Sequence, residues 1–503
     1  MRRLLLCCLA LLAFFSSVSV CFAQAPEGLE QLIYDSQKYN REAELLEFGI
    51  TYEEFDAVFE KMTAEGKLPW YADPGYAYSY NEVTEWLLSF TPKVKDPAVY
   101  DRTLYAQKLA AFMEACILPG MTPLQIALSV HDHMILQNIY DDTLEKNTGY
   151  DLLVYGTTVC AGYAELYTQI LNSVGIPCIT VTSEEMNHAW NLVQLDGSWY
   201  HVDVTWDDPS KDIYGRVRHT YFLLTDAEIS TGEEPHYGWD ANISCTDTRY
   251  ADAYWRGVEN PICFESKDVS YLLRQNDWEN RIYRRDEASG QETLLFTDTD
   301  HYVNTGDGSY AFVHYGLALA NGRVFFGRQD VICSMNTDGS DVKTEYTYDT
   351  KNNGRFIYGF RLENGDLWLR LADSKYENTI IATDPLFQAP HAHSFTVSQQ
   401  PPACTEDGYT LSACQCGLTA QSDPVPPTGH SLKITKKKRA TFFGDGFEEG
   451  FCTVCQQQIT QVLPKVNFTV WFSDNYPYVI IGTGLLALVI TSLSGKKKGK
   501  TAV

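Results

Sequence analysis

Apolar and polar positions show helical patterns over the first third of this chain, give way to two apolar-rich strand runs around Asp196-Gly197, and break into short strands beyond residue 269. Residues 26–95 carry helical patterns, clearest from Tyr52 to Met62, interrupted by the Pro- and Gly-containing stretch LPWYADPGYAY. Helices are predicted from Asp101 to Cys116 and from Thr122 to Ile139. A third opens after Gly156, Thr157 and Thr158, where Tyr163, Leu166, Tyr167, Ile170, Leu171 and Val174 recur at helical spacing until Gly175 and Pro177 stop it. NHAWNLV and GSWYHVDV then read as two strands joined by Asp196-Gly197, a strong two-residue hairpin signal. From about Val269 to Ala389 the pattern is all-β, with turns at Ser289-Gly290, Asn321-Gly322, Asp338-Gly339 and Asn364-Gly365. About three weak, propeller-like repeats fall there, fewer than the roughly 4–8 blades of a closed propeller, so an open or partial β assembly is expected.

Both ends carry apolar runs. Met1-Arg2-Arg3, the run Leu4 to Val20 and small residues at Ala23 and Ala25 read as a secretory signal over residues 1–25. Tyr476 to Leu493 holds no charge, and its 18 residues would span about 27 Å as a helix. Lys496, Lys497, Lys498 and Lys500 follow at once, so a transmembrane helix is expected over 476–494 with a cytoplasmic Lys-rich tail over 495–503. The chain is thus expected to be a single-pass membrane protein with an extracellular ectodomain.

Candidate chemistry comes from three runs. Cys160, in GTTVCAGYAELY, stands in or beside the first turn of its helix, where unpaired N–H groups and the helix dipole favour a thiolate below the ordinary thiol pKa of about 8.5. The Asp196-Gly197 turn sets a register with Leu195 opposite Ser198, Trp190 opposite Asp203 and His188 opposite Thr205. His188 and Asp203 then share a face as diagonal neighbours, roughly 7–8 Å apart at the backbone, a gap their side chains can close. Alone, Cys160 would read as one more buried small hydrophobe. With the His–Asp pair beside it, the three read as nucleophile, base and orienting carboxylate. Trp190, Tyr200 and Trp206 flank the hairpin as core or cleft lining, with core favoured. His131 and His133, at i and i+2 on one helix, fall on different faces, which argues against a metal pair.

The order of Cys160, His188 in HAWN and Asp203 in HVDVTWDDP, followed by HTYFLLTD, resembles the bacterial transglutaminase-like superfamily, whose core is similar to papain-like thiol enzymes. The resemblance covers roughly residues 98–228. It implies an α+β fold with Cys160 as nucleophile, His188 as general base and then acid, and Asp203 holding the imidazole. Ala161 stands where many relatives carry a polar residue. The superfamily holds crosslinking enzymes, peptidases and catalytically silent members, so the resemblance leaves the reaction open.

The resulting division is a signal over 1–25, a helical N-terminal extension over 26–97 (a lid, a pro-segment or a packed extension), and a catalytic domain over 98–258. A β-rich repeat region over 259–390, a Cys/His repeat module over 391–465 and the membrane helix with its tail complete it. Setting aside two signal arginines and four tail lysines leaves 33 basic against 65 acidic residues, a net of −32, which excludes a nucleic-acid partner. The one basic cluster, Lys436-Lys437-Lys438-Arg439, reads as a solvated loop.

Fourteen cysteines include three in the signal, and the remaining odd number accommodates one free catalytic thiol plus pairs. Cys178 reads as buried. HSFTVSQQPPACTEDGYTLSACQCG and HSLKITKKKRATFFGDGFEEGFCTVC form a weak repeat, with His393 and His430, Gly408 and Gly446, and Cys414 and Cys452 in correspondence; Phe442 replaces the counterpart of Cys404. These residues, with Cys416 and Cys455, suit zinc or disulfides equally, and neither a metal nor a cofactor is assigned. The expected function is extracellular thiol acyl transfer on a protein or peptide amide, cell-wall peptide included, more peptidase-like than crosslinking. The rival is a non-catalytic surface-binding protein built on the same module.

Overall fold

The computed structural model of the chain describes residues 25–465, except 209–212, 233, 276–278, 300–302, 305–309, 312–314, 364, 374–377, 384, 388–391 and 442, together with 498–502. The expected signal run and membrane helix lie outside the described residues. Among the described residues no helix is long and apolar enough to cross a membrane.

Two compact units result. The first takes its described residues from 25–63, 72–94 and 498–502. Helices α1 (Leu29–Tyr39) and α2 (Tyr52–Ala64) accompany strands β1 (Ala43–Glu44), β2 (Ala72–Tyr80) and β3 (Leu87–Val94), ordered β1-β3-β2 with Lys498–Ala502 antiparallel on the outer side of β2. The extension expected to be helical is therefore half sheet. Phe55 and Phe59 of α2 pack on Tyr76 of β2 and Phe90 of β3, with ring centroids 4.8–6.2 Å apart.

The second unit begins with 64–71 and resumes at 95. Trp70 stacks on Tyr105 at 4.0 Å and Tyr150 at 5.6 Å, which ties this linker to the helices that follow. Asp101 caps α3 (Arg102–Cys116) by accepting from Leu104 N, and Thr122 with Gln125 forms a capping box on α4 (Pro123–Gln137). After β4 (Ile139–Tyr140), α5 (Gly149–Tyr155) and β5 (Thr157–Thr158) comes the central helix α6 (Cys160–Ser173), whose Leu166, Tyr167, Ile170 and Leu171 are fully buried. An antiparallel sheet covers it: β6 (Cys178–Ser183), β7 (His188–Leu195), β8 (Ser198–Val202) and β9 (Phe222–Leu224), in that order. Ala127, Val130 and Met134 of α4, Tyr163 and Ile170 of α6, and Val193, Tyr200 and Val202 of the sheet share one core with Phe222 and Trp255. Helices on one face of an antiparallel sheet make this an α+β domain.

Beyond it the described residues up to 465 are mostly strand, with one short helix, Thr350–Asn353. Two four-stranded antiparallel meanders cover 263–298 and 317–347, and a three-stranded one covers 356–382. Asn321 and Gly322 make the expected two-residue turn, with φ of 50° and 69°. Two smaller three-stranded sheets follow, over 395–425 and 432–463. The basic cluster is not a loop: Leu432–Lys438 is a strand whose Lys436 and Lys437 pair with Glu449 and Glu448, and Lys436 Nζ reaches Glu449 Oε2 at 3.3 Å. Carboxylates directly opposite let consecutive lysines sit on one strand.

Candidate active site

Cys160 is the first residue of α6, after Val159 at the N-cap. Its loop is clamped from below. Ile139 and Tyr140 pair in parallel with Thr157 and Thr158, Val159 N donates to Lys146 O at 2.9 Å, and Thr158 Oγ1 donates to Thr148 O at 3.3 Å. Glu165, one turn into the helix, accepts from Gly149 N at 2.7 Å. Gly162 is required by this closeness, because a Cβ there would stand 2.0 Å from Thr158 Oγ1 and 2.7 Å from Thr148 O. Gly162 N and Tyr163 N close the first turn of α6 on Val159 O, at 3.0 and 3.3 Å.

His188 begins β7, and the strand is pinned to α6 by Asn191, whose Nδ2 donates to Ala164 O at 3.1 Å and Thr168 Oγ1 at 2.8 Å. That contact explains the Asn of HAWN: it fixes the height of His188 above the start of α6. The turn is the expected one, with Asp196 and Gly197 at φ 49° and 84° and Leu195 opposite Ser198. The register runs as expected to Asn191 opposite Val202, where the ladder stops. Trp190 is not paired with Asp203, nor His188 with Thr205, because Asp203 leaves the strand to cap the short helix α7 (Val204–Asp207), its Oδ1 accepting from Trp206 N at 3.1 Å.

Asp203 nevertheless meets His188, by this other route. His188 Nε2 and Asp203 Oδ2 are 2.6 Å apart, and the carboxylate is wholly buried. With Nε2 so engaged, Nδ1 is the nitrogen left to face a partner other than Asp203. Burial alone would push the His188 pKa down, but the charge and hydrogen bond of Asp203, helped by Cys160, raise it to about 10. Burial likewise opposes a Cys160 thiolate; the hydrogen bond and charge of His188 and the N–H of Ala189 outweigh it, and the thiol falls below its ordinary value. Asp203 is held well below the carboxylate range, where burial is overcome by the charges and hydrogen bonds of His188 and His236. At four other thiols burial wins: those of Cys116, Cys178, Cys245 and Cys263 are pushed up to about 12. Cys178 is buried as its sequence context suggested.

Trp190 and Tyr200 are core residues, at 1% and 0% exposure, whereas Trp206 stacks on His188 at 5.2 Å and meets the edge of His236 at 4.1 Å. His236 was not foreseen. It is fully buried and its Nε2 lies 2.8 Å from Asp203 Oδ2, yet EEPHYGWD has no periodicity that singles it out. Tyr140, 37% exposed, feels the charge of Cys160.

The acidic run after β8 divides its work. Asp203 serves His188; Asp207 accepts from Tyr221 N at 3.0 Å and lies 3.2 Å from His131 Nε2; Asp208 accepts from the hydroxyl of Tyr163, on the turn of α6 that carries Cys160. One segment thereby holds both the His188 imidazole and the helix that Cys160 opens. His131 continues the network to Asp132 at 2.8 Å, which also meets His219 at 3.0 Å, and against burial these carboxylates raise the His131 pKa to about 9. His133 instead lies edge-on to Phe112, and burial lowers its pKa to about 4. The two histidines do not converge on one site.

Residues 111–204, a span that contains Cys160, His188 and Asp203, match the model of the transglutaminase-like superfamily, so the chain carries a transglutaminase-like domain. Over 93 residues it is 37% identical to kyphoscoliosis peptidase of Mus musculus, covering 15% of this chain and 14% of that protein. Over 70 residues it is 37% identical to kyphoscoliosis peptidase of Homo sapiens, covering 11% of each. The chain thus spans only a small fraction of these relatives. Among solved structures, regucalcin of Agrobacterium tumefaciens overlays 39% of this chain and 70% of its own at 11% identity, with a TM-score of 0.18 that carries no weight for the fold.

Proposed function

We propose that this chain is a thiol acyl-transfer enzyme acting on amide bonds, with Cys160, His188 and Asp203 as its catalytic group. The observation that carries the reading is the placement of His188, held by Asp203 through Nε2 at 2.6 Å and close enough to Cys160 to lower its thiol pKa. The Cys160 thiolate adds to the carbonyl carbon of a peptide or glutamine amide, and the C=O electron pair moves onto oxygen. That oxyanion is received by the Cys160 N–H at the start of α6. As the tetrahedral adduct collapses, the C–N bond breaks and His188 gives its proton to the leaving amine, leaving an acyl thioester. Neutral His188 then takes a proton from the acceptor that attacks the thioester, and the thiolate departs.

Water as acceptor completes a peptidase cycle and an amine completes a crosslink. Hydrolysis is the reading adopted, and the word peptidase in the names of both curated relatives supports it. The proposed setting is the outer face of a membrane, with the region before Tyr476 outside and the apolar run Tyr476–Leu493 as anchor. The decisive experiment alkylates the chain across pH and assays peptide cleavage and amine incorporation. Cys160 labels first and well below about pH 8.5, and Cys160→Ala abolishes turnover of both donors while the fold survives. A Cys160 that labels no faster than an ordinary thiol, with neither donor turned over, rejects the enzyme and leaves a binding module.

A further inference from the structure

The two small sheets over 395–425 and 432–463 lack what usually holds a domain together. Among the described residues, none of the buried apolar clusters includes a residue from either sheet. Leu432–Lys438 is almost wholly exposed, and Gln458–Leu463 has no buried residue. The first sheet has support, because its middle and last strands lie along α3: Gln107 Nε2 donates to Ser412 Oγ at 3.0 Å, and Thr103 Oγ1 lies 3.0 Å from Ser422 Oγ. A sheet this small, without a core, ordinarily needs a disulfide or a metal.

What is buried in the second sheet is a cysteine. Cys452 is 0% exposed, and Cys404, at 7%, reaches it from the preceding repeat. Their sulfurs are 3.7 Å apart, Cys455 Sγ lies 3.4 Å from His430 Nδ1, and one ligand atom from each of the four falls within 4.8 Å of every other. Tetrahedral zinc with Zn–S of about 2.3 Å and Zn–N of about 2.0 Å sets sulfurs about 3.8 Å apart and sulfur and nitrogen about 3.5 Å apart. Both separations are met. A disulfide would need about 2.05 Å between sulfurs and would leave His430 without a purpose.

We propose that Cys404, His430, Cys452 and Cys455 bind one structural zinc ion, and that the ion staples the second repeat to the first. Three thiolates and one imidazole close the tetrahedron, leaving no position for substrate; three thiol protons go to solvent as the metal binds. The donors are soft enough to prefer zinc to magnesium or calcium. Each repeat offers its own His and two Cys, as His393, Cys414 and Cys416 show in the first. The fourth ligand of the second site is lent across the boundary by Cys404. Phe442, the counterpart of Cys404 in the second repeat, offers no ligand of this kind.

The test is metal analysis of the purified full chain, in detergent and without chelator, with non-reducing peptide mapping alongside. Cys404→Ser and Cys455→Ser should each lose one equivalent of zinc, and the double variant should lose no more than either single one. Cys263→Ser, outside the repeats, should lose none. A wild-type chain without zinc, a disulfide among Cys404, Cys452 and Cys455, or losses that add in the double variant would each overturn the proposal. Should the serine variants fail to fold, His393→Ala loaded with cobalt(II) gives the answer: thiolate-to-cobalt charge-transfer bands of a tetrahedral site support it, and their absence rejects it.

Discussion

His236 Nε2 lies 2.8 Å from Asp203 Oδ2, the same oxygen that holds His188 at 2.6 Å. Two imidazoles on one carboxylate oxygen fix where that oxygen is, and so fix the ring that faces Cys160. His236 touches no substrate in the proposed reaction; it is a positioning residue. A hydrogen bond to a charged group contributes about 1.5–3 kcal/mol, so His236→Ala should lower kcat about 10- to 100-fold with KM little changed. His236→Gln, which keeps a donor nitrogen, should recover part of the loss. Equal losses in both variants, tracking a lower melting temperature, would make His236 merely structural.

The proposed pair works as thiolate and imidazolium, and the shifts set its pH window. Activity should rise as Cys160 ionises, below the ordinary thiol value, and fall as pH passes through about 10, where His188 gives up its proton. The stability sign follows the same shift: His188 is raised in the folded chain, so its contribution is full below about pH 6.5 and lost as pH climbs toward 10. Asp203 is lowered, so its contribution is present above about pH 4 and lost in acid. Asp203→Asn removes the charge that raises His188. The alkaline limb of kcat/KM should then move down toward neutrality, and an unmoved limb would mean that Asp203 does not set the His188 charge.

The site was legible where local chemistry decides geometry. Asp196-Gly197 fixed the hairpin because φ above zero at both positions suits few other pairs, and Gly156 through Pro177 bounded the helix that Cys160 opens. Asp203 was found by a register argument whose last step fails, since β8 ends one residue earlier and the carboxylate arrives by capping α7. His236 left no trace, because its contact with Asp203 joins segments 33 residues apart through an aperiodic loop. In β2, Pro74 and Gly75 masked the Tyr76, Tyr78 and Tyr80 alternation that makes a strand. Cys404 looked like a member of its own repeat, and only the fold carries it to the next.

Gly162→Ala tests whether the first turn of α6 needs its close approach to the α5 loop. Alanine gains about 1 kcal/mol in helix propensity over glycine. Its Cβ, 2.0 Å from Thr158 Oγ1 and 2.7 Å from a backbone oxygen, costs more, because overpacking against backbone runs to about 3 kcal/mol or above. Net destabilisation of about 2 kcal/mol is expected in denaturant melts, together with slower alkylation of Cys160 as the turn shifts. A variant as stable as the parent would show that this loop yields freely.

The C-terminal tail poses the sharpest question about setting. Lys498–Ala502 is antiparallel to β2, which precedes the apolar run 476–493 by about 400 residues. If that run crosses a membrane as one helix, the tail and β2 stand on opposite sides and the pairing cannot form on that molecule. Anchoring therefore predicts that a tag placed after Val503 survives protease added to intact cells, on a short membrane-bound stub, while the ectodomain is removed. Loss of the tag together with the ectodomain would show that the run does not cross and that the strand on β2 is the resident arrangement. Full protection of residues 26–475 would instead put the thiol site on the inner side and end the surface assignment.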